Sequence, residues 1–179
     1  MASARTIEEL FEAIFVPYNM EISEEEVALL KQKAESGEAF AELCLILLDF
    51  YGSKMHYNFF NGTKDELDEI QEASFAKLDA LGKRLPFAYK VAGDLHLGKM
   101  GKIVWHTEIA RSYFEKYAEA TGDRSIIDGF DAYTKEMWEE YKSTQSRQQR
   151  IQIRKAFKGL GDVTYSHDPS FYENLKGED

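Results

Sequence analysis

Glycine punctuates this chain at long intervals. Gly37, Gly82 and Gly122 each follow a helix-like apolar pattern, and they stand 45 and 40 residues apart. The segments that end on them read alike. They are Leu30-Lys31-Gln32-Lys33-Ala34-Glu35-Ser36-Gly37, then Phe75-Ala76-Lys77-Leu78-Asp79-Ala80-Leu81-Gly82. The third, Phe114-Glu115-Lys116-Tyr117-Ala118-Glu119-Ala120-Thr121-Gly122, is one residue longer. A glycine just past a helix takes the left-handed backbone that other residues resist. A period of this length points to helix pairs that cannot hide their apolar stripes alone and must stack. Gly52 and Gly98, the latter backed by Gly101, fit as stops for the intervening helices.

Helix starts recur as well. Thr6 with Glu9, Ser23 with Glu26, and Thr63 with Glu66 have capping-box spacing, and Ser125 with Asp128 is a looser version. Pro86 fits a first helical position, and Thr107 fits a cap. The spacing predicts helices at 6–16, 23–36, 38–51, 64–81, 86–97, 105–121 and 125–141, with an aromatic-rich loop at 53–62. In the sixth helix Ile109, Tyr113, Tyr117 and Ala120 share a face that Ala110, Phe114 and Ala118 widen. In the seventh, Phe130, Tyr133, Met137, Trp138 and Tyr141 form the stripe. No stretch alternates apolar and polar residues over a strand length with turn residues on both sides. The expected fold is all-α, with antiparallel helix pairs stacked as a short α-solenoid of about seven to eight helices. One domain is expected over residues 1–162, repeat-like over about 27–141. A basic helix follows at about 142–158, then an irregular tail at 163–179.

Composition agrees. Three prolines in 179 residues suit long helices, and 13% aromatic residues supply large buried side chains. The lone Cys44 lies in an apolar run, as a small buried hydrophobe would, and forms no intrachain disulfide. Glu8, Glu9 and Glu12 do not suit a signal peptide, and the apolar runs fall far short of the roughly 20 residues that span a bilayer. No membrane association and a cytoplasmic location are therefore expected, and Asn61-Gly62-Thr63 reads as a turn rather than a glycosylation site. The net charge of −10 repels nucleic acid and anionic lipid over most of the surface.

The fullest repeat unit runs from Phe87 to Gly122. It carries Ala88, Val91, Ala92, Gly93, Leu95, Gly98 and Gly101, then Ala110, Tyr113, Phe114, Ala118 and Gly122. This resembles the Sel-one-like repeat, a longer relative of the tetratricopeptide repeat. In that family a small-residue first helix and a glycine-containing loop precede an aromatic-x-x-Ala-Ala-x-x-Gly ending. The Ala-Ala pair is never intact here, and the unit from Ala39 to Gly82 is degenerate. The resemblance implies a scaffold whose first helices line a concave groove that binds a peptide or protein partner. Helix order then offers Glu42, Asp49, Tyr89, Lys90, Asp94 and Tyr133 as groove residues.

Catalytic chemistry is not readable. The four histidines lack E-x-x-H and H-E-x-x-H spacing. His96 and His106 fall short of the three or four ligands that zinc takes, so no metal or cofactor is expected. Gly159-Leu160-Gly161 lacks the third glycine and the preceding strand of a phosphate loop. Two alternatives to the scaffold stand. Arg147, Arg150, Arg154, Lys155 and Lys158, interleaved with Ile151, Ile153 and Phe157, form a basic amphipathic stretch that suits nucleic acid or an acidic partner, or docking on the chain's own acidic surface. A small helical enzyme would place its site in the loop His56–Phe60 or near His96 and His106.

Overall fold

The computed structural model describes residues 5–15, 22–59, 64–97 and 107–143. Among the described residues there are seven helices and no strand. They are α1 (Ile7–Phe15), α2 (Glu24–Glu35), α3 (Ala39–Phe59), α4 (Lys64–Gly82), α5 (Phe87–His96), α6 (Thr107–Thr121) and α7 (Ser125–Ser143). The fold is all-α, as the sequence implies. The chain divides into two compact units, Met1–Ala92 and Gly93–Asp179, with the boundary inside α5. No helix among the described residues is long and apolar enough to cross a membrane.

In the first unit the capping signals act as expected. Thr6 Oγ1 accepts the Glu9 N–H at 3.2 Å, and the Glu9 carboxylate accepts the Thr6 N–H at 2.7 Å. Ser23 and Glu26 make the same reciprocal box at the start of α2. Arg5 then donates to both Glu26 oxygens, at 2.6 and 2.7 Å, and ties the N-terminus of α1 to that of α2. This guanidinium, helped by the Ser23 N–H, holds the Glu26 carboxyl down at about 2 against an ordinary 4.5. α2 ends on Gly37, whose φ of 94° places it in the left-handed region. The Glu38 N–H reaches the Lys33 carbonyl at 3.1 Å and the Gly37 N–H the Ala34 carbonyl at 2.9 Å, the two bonds of a Schellman ending.

α3 and α4 run antiparallel. Glu42 pairs with Arg84, Asp49 with Lys77, and the Phe50 ring meets Phe75 at 5.7 Å, so ascending α3 means descending the α4 side. Leu43, Cys44, Leu47 and Phe50 on α3 are buried, as are Leu30 on α2 and Leu78 and Leu81 on α4. Each such side chain is worth about 1.5–3 kcal/mol of hydrophobic stabilisation. Phe11 of α1, Phe40 of α3 and Phe87 of α5 form an aromatic cluster with centroids 5.1, 5.6 and 5.9 Å apart.

One expected helix stop does not hold, and another ends its helix without the left-handed backbone. α3 passes through Gly52 and continues to Phe59, so His56 to Phe59 lie on a helix rather than in a loop. A single interior glycine costs a helix only about 1 kcal/mol, and no proline follows to end it. Gly82 is the last residue of α4 and is absent from the left-handed glycines. Its missing side chain serves packing instead. A Cβ there would lie 2.3 Å from Cε1 of Tyr89, so the tyrosine ring rests directly on the α4 backbone.

In the second unit α6 and α7 pack antiparallel. Arg111 grips Asp131 with two N–H···O bonds of 3.0 Å and also pairs with Glu115, and Phe114 meets Phe130 at 5.7 Å. The carboxylates around Arg111, Asp131 foremost, push its pKa up. α6 buries Ala110, Phe114 and Ala118, whereas Ile109 and Ala120 are exposed. The buried stripe is thus the one read as a widening, because Phe114 must reach both α5 and α7. Gly93 of α5 repeats the Gly82 arrangement: a Cβ there would lie 2.3 Å from Cε1 of Phe114. Gly122 ends α6 with φ 77° and donates to the Ala118 carbonyl at 2.8 Å. The cap of α7 is not a Ser125–Asp128 box. Ser125 is already helical, and Asp123 Oδ1 accepts its N–H at 2.9 Å; hydrogen bonding from the Ser125 side chain, and then from this N–H, lowers the Asp123 pKa.

Candidate functional site

The six candidate groove residues fall into three physical classes. Glu42 and Asp49, on one side of α3, are engaged by Arg84 and Lys77 (3.4 Å) from the α4 side. Partly exposed pairs of this kind contribute about 0–1 kcal/mol, so their carboxylates stay available to a competing cation at little loss. Arg84 also reaches the Gly37 carbonyl at 3.4 Å, which pins the α2–α3 turn.

The second class is buried. Tyr89 is 9% exposed because its ring covers Gly82, and Asp94 is 4% exposed. Both were expected on a surface. The sequence could not show this, because their burial depends on which face α5 turns inward. Lys90, half-buried, holds its ammonium 5.8 Å from the Phe87 ring centroid.

Tyr133 stands alone in the third class. It is 60% exposed, although the apolar spacing of α7 placed it in the buried stripe. The helix instead buries Ile127, Phe130 and Thr134, with the Thr134 hydroxyl donating to the Asp131 carbonyl at 3.0 Å. Tyr133 therefore lies on the flank of that stripe. Ile109 of α6, 43% exposed, is a second large apolar side chain facing solvent in this unit. Sequence reading missed Gly129. It is exposed, sits four residues before Tyr133 on the same helix face, and a Cβ built on it would meet nothing within 4 Å among the described residues. The available signal was a glycine inside an otherwise unbroken helical pattern.

The residues considered for chemistry do not converge. Cys44 is fully buried, and burial pushes its thiol up to about 12, so it has no thiolate to offer at neutral pH. His96 is buried and stacks on Tyr113 with centroids 5.5 Å apart. Among the described residues no group of three or more His, Cys, Asp or Glu could hold a metal ion. In the α3–α4 layer the Tyr51 hydroxyl and the Gln71 amide nitrogen are buried without a hydrogen-bond partner among the described residues, and burial raises the tyrosine pKa. His106 and the basic candidates Arg147, Arg150, Arg154, Lys155 and Lys158 lie outside the described residues.

No protein-family model matches the chain, and neither a curated protein nor a solved structure is significantly similar to it.

Proposed function

We propose that this chain is a protein-interaction scaffold, built of helix pairs akin to the Sel-one-like repeats, that binds a peptide or protein partner. The observation that carries this reading is Tyr133. A large aromatic side chain stands 60% exposed on a helix whose neighbouring apolar residues Ile127 and Phe130 are buried. Leaving a tyrosine in water forgoes burial, whereas tyrosines dominate the few residues that carry binding energy at interfaces. The negative charge of the chain adds a preference for basic partners.

The test is affinity capture with the full chain, followed by purification of the captured protein and direct titration. Tyr133→Ala is compared with wild type, and circular dichroism verifies that helix content is unchanged. Supporting data are a purified partner that binds wild type stoichiometrically and binds Tyr133→Ala at least about tenfold more weakly, the size of a hot-spot truncation. Unchanged affinity in the variant removes Tyr133 from the interface and the reading with it.

A further inference from the structure

We draw no further inference here: the strongest candidate, the buried Tyr51 hydroxyl and Gln71 amide nitrogen in the α3–α4 layer, carries nothing, because nothing among the described residues brings the two around a common ligand and an ordered water would satisfy either.

Discussion

The same substitution, glycine to alanine, has opposite consequences at two positions in the second unit. At Gly93 the new Cβ would lie 2.3, 2.7 and 2.9 Å from three ring carbons of Phe114. Carbon atoms rest about 3.5–4 Å apart, so the ring must retreat by about 1 Å or more. It has little room to do so, being 1% exposed and in edge contact with Phe130. Overpacking of a filled core costs about 1–3 kcal/mol, and so short an approach belongs at the upper end. The helix-propensity gain of alanine offsets about 1 kcal/mol. Gly93→Ala therefore destabilises by about 2 kcal/mol, or roughly 4–8 °C in Tm for a chain of this size. At Gly129 only the gain operates, and Gly129→Ala raises Tm by roughly 2–4 °C. Thermal melts followed by far-ultraviolet circular dichroism measure both. Adding Phe114→Leu to Gly93→Ala recovers part of the loss. Equal shifts of the same sign at the two positions would refute the argument that aromatic rings seat on the helical glycines.

Other outcomes follow from local chemistry. Glu26 titrates at about 2 in the folded chain against an ordinary 4.5. Its stabilisation is therefore complete above pH 4.5 and is lost as pH falls toward 2, so the Tm difference between wild type and Glu26→Gln should close over that window. A gap independent of pH would show that Arg5 does not act through the carboxylate. Cys44, buried with its thiol raised to about 12, should react with a thiol reagent in the folded chain far more slowly than in denaturant. Equal rates would place it at the surface. Gly37→Ala puts a side chain at φ 94° and should destabilise by about 1–2 kcal/mol in denaturant titration, although its Cβ would meet nothing within 4 Å. A neutral result would contradict the left-handed ending of α2.

The legible part of this fold was the part controlled by neighbours in sequence. Thr6 with Glu9 and Ser23 with Glu26 announce their helices because the capping contacts span three residues. Gly37 and Gly122 announce the ends of α2 and α6 because the left-handed ending is also local. Gly52 and Gly82 look the same in sequence but do different things, since what decides them is distant. Gly52 is carried through by the helix on both sides, and Gly82 is kept bare by Tyr89. The candidate face was harder for the same reason. Ile109 and Tyr133 have core spacing, and only the orientation fixed by Arg111–Asp131 and Phe114–Phe130 turns the buried stripes of α6 and α7 away from them. Tyr89 and Asp94 passed for surface residues because helix order does not reveal which face α5 buries.

Amide hydrogen exchange of the full chain, with and without its purified partner, tests the interaction reading most directly. Slowed exchange on binding should centre on α7 from Asp128 to Glu136. Protection confined to α1–α4, with α7 unchanged, would contradict it.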